Sequence, residues 1–261
     1  MNIGIQTAGL HWEEVPYEPA SLTSADNHLP PDHSTVSFTT LLHREKLQVS
    51  DLPVISLRDY QQCPLKFRMR YIDKHPGLEI GGTHARRLGE LAHLALEHSI
   101  TDFERLKNVD PAIPDDVVQE ALDLALNFHK HTIFQPFQTN LQAREHPITI
   151  KIGSIQFNGI IDLVGNDWIL DYKTDREMNP ERHRLQLAIY AHEMKVNTAI
   201  IAYLRHEKVH EYSAEELESA MEDVHEVIAG IEENRFEAAP SEQSCSWCPY
   251  QYDGMCGKQH N

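Results

Sequence analysis

The residues with the most chemistry per position are carboxylates. Gly159-Ile160-Ile161-Asp162 is followed, after eight residues, by Asp171-Tyr172-Lys173. Two strands joined by a short turn bring Asp162 and Asp171 near each other. Converging carboxylates suit a hard cation such as Mg²⁺ or Mn²⁺, which favours oxygen ligands. Lys173 lies two residues beyond Asp171, and positions i and i+2 of a strand share a face. The two therefore project into one site, a carboxylate for metal and an ammonium for substrate. That ammonium can position a water or act as a fixed charge at a phosphorane-like transition state. Gly89-x3-His93 sits in a helical pattern that runs on to Glu97. A mid-helix glycine costs about 1 kcal/mol relative to alanine. That cost points to close approach by another segment, and it lets His93 reach the metal from the helical side through one imidazole nitrogen. Glu145 stands just before an alternating apolar stretch. Gln186-x3-Tyr190 stacks an amide and a phenol one turn apart on a helix face, where they suit a phosphate or a base. Singly these signals are weak. D-x-K arises often by chance, and a lone histidine among seventeen is more often a surface or satisfied core residue than a ligand. Their order and spacing together carry the reading.

The four cysteines are Cys63, Cys245, Cys248 and Cys256. A reducing compartment disfavours a disulfide framework. The C-x2-C pair can place two thiolates on one metal, and four thiolates complete either a tetrahedral zinc site or an iron–sulfur cluster. Spacing alone leaves zinc and cluster both open, beside the plain alternative of four unrelated thiols. If Cys63 joins the other three, the site staples the N-terminal part of the chain to its end.

The elements that must position these groups follow from pattern. Residues 1–50 are polar, carry four prolines (Pro16, Pro19, Pro30, Pro31) and show no sustained period. They read as a poorly ordered or extended arm, with residues 21–28 as a loop. Residues 51–261 form the domain. Ser56 and Asp59 read as an N-cap and its acid, opening a helix over Leu57–Ile72 that Cys63-Pro64 bends or restarts. Gly81-Gly82 marks a loop. Helices are predicted over Thr83–Ser99 and 115–132 from apolar residues recurring every three or four positions. The period then changes to two at Ile148, Ile150 and Ile152. Strands over Ile155–Val164 and Trp168–Tyr172 flank the turn Gly165-Asn166-Asp167. A helix over Pro180–Met194, strands over Thr198–Arg205 and Val209–Tyr212, and a helix over Ser213–Arg235 complete the order. This is a mixed α/β core with a helical preface, without internal repeats.

Of 261 residues, 41% are apolar and 24% charged, which excludes a chain disordered throughout and a collagen-like one. The longest clean apolar run is the six residues Ala199–Leu204, too short to span a bilayer. The start MNIGIQTAGL has no basic region followed by a long apolar one, so the expected compartment is the cytoplasm. The formal net charge of −17 argues against nucleic acid on its face. Its distribution matters more. Residues 213–237 hold nine acids and one base, a net −8, and read as a solvated helix face. Lys66, Arg68, Arg70, Arg86, Arg87, Arg182 and Arg184 cluster around the motif segments and suit a phosphate backbone, with Phe67, Tyr71 and Tyr190 as stacking rings. The plain alternative is that the basic residues are surface ion-pair partners.

The series Gly89/His93, Glu145, Gly159/Asp162, Asp171/Tyr172/Lys173 and Gln186/Tyr190 resembles the PD-(D/E)XK nuclease superfamily, in particular its RecB-type branch. The resemblance extends over roughly residues 54–258. It includes Tyr60-Gln61-Gln62-Cys63-Pro64 and the three C-terminal cysteines, as in the sub-group with a 4Fe–4S cluster. That sub-group contains CRISPR-associated adaptation nucleases, AddB-type nuclease domains and exonuclease V. The resemblance implies a restriction-endonuclease-like α/β fold, a mixed central sheet flanked by helices, with an N-terminal helical part and a Cys-rich C-terminal staple. It implies Mg²⁺ or Mn²⁺ held by His93, Asp162, Asp171 and the Tyr172 carbonyl, with Glu145 as a further acid and Lys173 as the catalytic lysine. It implies DNA contacts from Gln186 and Tyr190, to which Arg182 and Arg184 add charge. It implies a structural 4Fe–4S cluster on Cys63, Cys245, Cys248 and Cys256, with zinc as the alternative. The expected activity is a metal-dependent exonuclease preferring single-stranded DNA, in repair, recombination or CRISPR adaptation, with a helicase or CRISPR integration proteins as partners and no membrane. The competing class is a non-catalytic DNA-binding or complex-assembly module of the same fold. The intact His93, Asp162, Asp171 and Lys173 speak against it. A zinc protein of unrelated enzymology is a third class.

Overall fold

A computed structural model describes residues 50–77, 83–246, 248–251 and 256. The expected arm, the loop at residues 21–28 and the Gly81-Gly82 loop lie outside the described residues, apart from Ser50.

The chain enters on β1 (Asp51–Pro53), then α1 (Ser56–Gln62), α2 (Pro64–Phe67) and a wide turn over Arg68–Ile72. The helix expected over Leu57–Ile72 is thus cut at Cys63, whose extended backbone lets Pro64 open the next segment at a position where its missing N–H costs nothing. Ser56 lies inside α1 rather than capping it, and its hydroxyl is buried without a partner. Next come α3 (Thr83–Glu97), α4 (Phe103–Lys107, capped by Asp102) and α5 (Asp115–Lys130). Then follow β2 (Ala143–Ile152), β3 (Ile155–Val164), β4 (Trp168–Lys173), α6 (Arg184–Met194), β5 (Thr198–Tyr203) and β6 (Lys208–Tyr212). The chain closes with α7 (Ala214–Glu232) and the short α8 (Glu242–Cys245). Ser213 and Glu216 form a reciprocal capping box at the start of α7.

Among the described residues, six strands make one mixed sheet, ordered β1-β3-β4-β5-β6 with β2 on the far edge of β3. Helices cover both faces. Leu57, Phe157, Ile189, Val224 and Ile228 belong to the core shared by α1, α6 and α7. Leu88, Ala95, Val118, Phe128, Leu170 and Tyr172 belong to the one under α3 and α5. This is the fold class expected. Pro147 is tolerated within β2 because β2 is an edge strand.

One detail of register positions the site. β2 runs antiparallel along one edge of β3 from Ile155 to Val164. On the other edge β1 pairs with Gln156, Phe157 and Asn158, whereas β4 pairs only with Leu163 and Val164. Residues 159–162 of β3 therefore face a split in the sheet, with β1 on one side and β4 on the other.

Candidate active site

The β3–β4 ladder stops at Leu163↔Leu170, one step before Asp162 and Asp171. Beyond it the Asp162 side chain replaces a ladder carbonyl, its Oδ2 accepting the Tyr172 N–H at 2.5 Å. Its Oδ1 lies 3.2 Å from His93 Nδ1, and His93 Nε2 lies 3.2 Å from the Tyr172 carbonyl oxygen. Helix α3 holds His93 there by burying Leu88, Leu91, Ala92, Ala95 and Leu96. The expected close approach at Gly89 is a contact rather than a clash: a Cβ there would meet the Thr174 hydroxyl at 3.4 Å. Burial disfavours a charged imidazole, but the Asp162 carboxylate, and Asp171 behind it, outweigh that and lift the His93 pKa to about 9.

Glu145 lies within β2, since that strand starts five residues ahead of the Ile148 alternation. It stands opposite Asp162, between the pairs Arg144↔Leu163 and His146↔Ile161. Its φ is +45°, a left-handed conformation that costs a non-glycine residue about 1–2 kcal/mol. Burial, then the charge of Asp162, pushes its carboxyl up to about 7. One ligand atom each from His93, Glu145 and Asp162 lie within 4.8 Å of one another. An imidazole and two carboxylates, with the Tyr172 carbonyl adjacent, form an oxygen-rich donor set that fits Mn²⁺ or Mg²⁺.

Asp171 faces the other way along the split. It is 3% exposed, its Oδ2 lies 2.5 Å from Lys173 Nζ, and its Oδ1 accepts from Gln186 Nε2 at 3.1 Å. Burial raises its pKa, against the pull of Lys173. Gln186 Nε2 also donates to the Tyr190 hydroxyl at 3.2 Å, and the Ile160 backbone bonds that same hydroxyl. A continuous chain thus runs from the split strand through Tyr190 and Gln186 to Asp171 and Lys173. The loop after Lys173 is fixed in turn: Arg205 Nε donates to the Thr174 carbonyl at 2.8 Å, and the buried His183 lies 3.1 Å from Asp175 Oδ2.

Several surface expectations turn inward. Tyr190 is 3% exposed and Phe67 fully buried, so neither ring presents a face to a base. Tyr190 plugs the sheet split: a Cβ on residue 159 would stand 2.6 Å from its hydroxyl oxygen, which is why glycine occupies that position. Most of the expected basic groove is spent internally. Lys66 and Arg70 bind the buried Asp59, Arg68 binds Asp73, Arg86 and Arg87 bind Glu90, and Arg184 binds Glu181 and Asp223. Arg182 is exposed and has no ion pair within 4.0 Å among the described residues.

The cysteine-bearing segments meet. Ala239 N–H donates to Cys63 Sγ at 3.5 Å, Ser244 Oγ to the Gln62 carbonyl at 3.3 Å, and Tyr250 Oη to the His75 carbonyl at 3.0 Å. Cys248 packs with Met69 and Tyr250, and Cys245 is also buried.

A family model of the PD-(D/E)XK nuclease superfamily matches residues 52–252. The chain belongs to that superfamily. Its matched region contains the donor cluster, the Asp171–Lys173 pair and the Gln186–Tyr190 link. The solved structure of a provisionally assigned exonuclease from Eubacterium rectale is similar at 12% identity and a TM-score of 0.56, covering 90% of this chain and 95% of its own. That similarity shows the fold. A second solved structure, of SSO0001, aligns at 16% identity and a TM-score of 0.40 over 82% of this chain and 89% of its own. No curated protein matches the chain at a significant level. Among the described residues, no helix is long and apolar enough to cross a membrane.

Proposed function

We propose that this member of the superfamily is a divalent-metal-dependent deoxyribonuclease of the RecB-type branch, acting as an exonuclease on single-stranded DNA. The observation that carries the proposal is the donor cluster of His93, Glu145 and Asp162 at the head of a sheet split whose other wall holds Asp171 and Lys173. A bound Mg²⁺ or Mn²⁺ would supply Lewis acidity toward a phosphodiester and an acidified water. His93, Glu145, Asp162 and the Tyr172 carbonyl would hold it, with Asp171 on the far side of the split. Lys173, kept beside Asp171 by the 2.5 Å ion pair, presents its ammonium as a fixed charge for the scissile phosphate. Gln186 fixes the Asp171 carboxylate, and Tyr190 fixes Gln186.

Cys63, Cys245, Cys248 and Cys256 are proposed to hold a structural 4Fe–4S cluster, zinc being the alternative for the same thiolates. The contacts that seat Gln62 and Cys63 against residues 239 and 244 support this role. Residues 1–50 are proposed to be a poorly ordered or extended arm and residues 51–261 the nuclease domain. The proposed setting is cytoplasmic DNA repair, recombination or CRISPR adaptation, with a helicase or integration proteins as partners.

The test is cleavage of end-labelled single-stranded DNA, linear and circular, with Mg²⁺ and with Mn²⁺, against Lys173→Ala. Metal-dependent shortening of linear strands by wild type alone is the expected result. No cleavage by wild type with either metal refutes the deoxyribonuclease reading, and cutting of circles refutes the exonuclease reading.

A further inference from the structure

Arg58 is a basic residue that the sequence motifs do not single out. It lies on α1, just after β1, and its side chain is largely enclosed. Its Nε is buried without a hydrogen-bond partner, and no carboxylate stands within 4.0 Å of its guanidinium among the described residues. The two acids whose charge it feels, Asp59 and Asp175, are already committed. Asp59 Oδ1 binds Lys66, and its Oδ2 binds Arg70 and Tyr71. Asp175 Oδ2 binds His183.

A cavity of about 10 Å³ opens at this point, lined by Val54, Ile55, Arg58, Arg182, Leu185 and Gln186. It is the space between the residues that follow β1, Val54 to Arg58, and the start of α6, beside the sheet split. Burial and the like charge of Arg182 both disfavour the charged form of Arg58. Two guanidinium groups therefore share a space with no carboxylate within 4.0 Å of either among the described residues, Asp59 and Asp175 attracting them only from farther off. Arginine does not shed its proton in a protein, so such a pair is stabilised by an external anion. The cavity has room for one oxygen atom, the size of a phosphate oxygen reaching in from the mouth. Its remaining polar wall is Gln186, whose amide holds Asp171.

We propose that Arg58 and Arg182 form a phosphate-binding subsite at the sheet split, taking the backbone phosphate next to the scissile one in a DNA strand. The proposal rests on the deoxyribonuclease reading and adds to it a second point of strand attachment. Arg58 supplies the fixed, preorganised donor and Arg182 the exposed charge at the mouth. Two anchored phosphates set the strand's direction through the site, where a single phosphate held at the metal leaves it free to turn.

The test measures binding of a short single-stranded oligonucleotide with Ca²⁺ replacing Mg²⁺, across a range of salt, for wild type, Arg58→Gln and Arg182→Gln. Each variant is expected to bind about tenfold more weakly at low salt. Each should also lose about 0.7 from the slope of log affinity against log salt, the value for one single-strand phosphate contact. A neutral methylphosphonate scanned along the strand should weaken wild-type binding most at one position, and that position should become indifferent in Arg58→Gln. Wild-type affinity and slope in both variants overturn the subsite while leaving the deoxyribonuclease intact. Wild type that neither binds nor cuts DNA overturns both. Should Arg58→Gln not fold, Arg182→Gln at its exposed position and the methylphosphonate scan on wild type decide.

Discussion

Gly159→Ala tests the claim that the sheet split, rather than any single side chain, sets the geometry of the site. A Cβ at residue 159 would lie 2.6 Å from Tyr190 Oη, 2.7 Å from Cε1 and 3.0 Å from Cζ. The ring cannot swing outward, because Tyr190 is 3% exposed and packs in the core with Leu187, Ile189 and Ala191. The methyl must therefore push the ring and β3 apart. Overpacking of this kind costs about 1–3 kcal/mol. At roughly 3 °C per kcal/mol for a domain of this size, that lowers the melting temperature by about 3–9 °C. The displacement also passes through the 3.2 Å Tyr190–Gln186 bond and the 3.1 Å Gln186–Asp171 bond to the carboxylate beside Lys173. A misplacement near 1 Å at a reacting group costs about 10²-fold in rate. Thermal unfolding and single-turnover cleavage read the two effects separately. Tyr190→Phe removes the oxygen but leaves the carbon at 2.7 Å, so the clash should be relieved in part. A double-mutant cycle should show coupling of at least about 0.5 kcal/mol. Wild-type melting together with wild-type cleavage in Gly159→Ala would refute the reasoning, because the methyl would then have found room the structure denies it.

Glu145→Gly should raise the melting temperature of the metal-free protein by relieving a left-handed backbone worth about 1 kcal/mol, while Mn²⁺ loses most of its stabilising effect. A metal-free melting temperature at or below that of wild type counts against strain at Glu145. Lys173→Met leaves the Asp171 carboxylate buried without a cation, costing about 3–5 kcal/mol and abolishing cleavage. Cleavage near the wild-type rate would remove Lys173 from the chemistry. Without a cation Glu145 holds its proton below pH about 7 and His93 below about 9. Metal binding must displace both protons below 7 and one between 7 and 9, so Mn²⁺ affinity should rise with pH and level off above 9. Calorimetry in two buffers of different ionisation enthalpy counts the protons released, and a count of zero at pH 6 contradicts the cluster. If the proposed 4Fe–4S cluster forms, the purified protein should be brown, and Cys63→Ala should bleach that colour and lower the melting temperature. Full colour and stability would take Cys63 out of the cluster.

The order of the chemistry was legible in the sequence because strand alternation and a short turn fix which carboxylates can meet. The Gly165–Asp167 turn joins the two strands and Lys173 pairs with Asp171, but the ladder stops one step short of Asp162 and Asp171, and the donor cluster takes Asp162 with His93 and Glu145 rather than with Asp171. What was not legible is which way a buried helix turns. Residues Leu187–Ala191 are all buried, so four-residue spacing on α6 carries no mark of a surface, and Gln186 and Tyr190 read as a face toward DNA when they point into the sheet split. β1 has three residues, too few for a period, yet it forms one side of that split. Arg58 had one available signal, a basic residue between the buried Leu57 and Asp59 on a helix otherwise packed against the sheet. The ion pairs of the expected basic groove were hidden for a simpler reason: charge counts along the chain do not show which acids lie close enough to pair with its basic residues.

The net charge of −17 and an anionic substrate are reconciled by where charges are left over rather than by how many there are. The acids of α7 lie on a helix whose apolar side packs on the core, and among them Asp223 pairs with Arg184, Glu216 with Ser213 and Glu232 with Ser154. Most arginines and lysines near the motifs are neutralised in place. Like charges crowd both sides of the split: the carboxylates Glu145 and Asp162 beside His93 on one side, Arg58 and Arg182 on the other. A divalent cation and a phosphodiester strand would relieve both at once. The carboxylate cluster alone repels DNA and the arginine pair alone binds it only weakly. Metal and strand should therefore bind with positive coupling, each raising the other's affinity by the same factor. Titrating DNA at several Mn²⁺ concentrations, and Mn²⁺ at several DNA concentrations, measures that factor from both directions. A factor of one from either side would mean that the two halves of the split act independently.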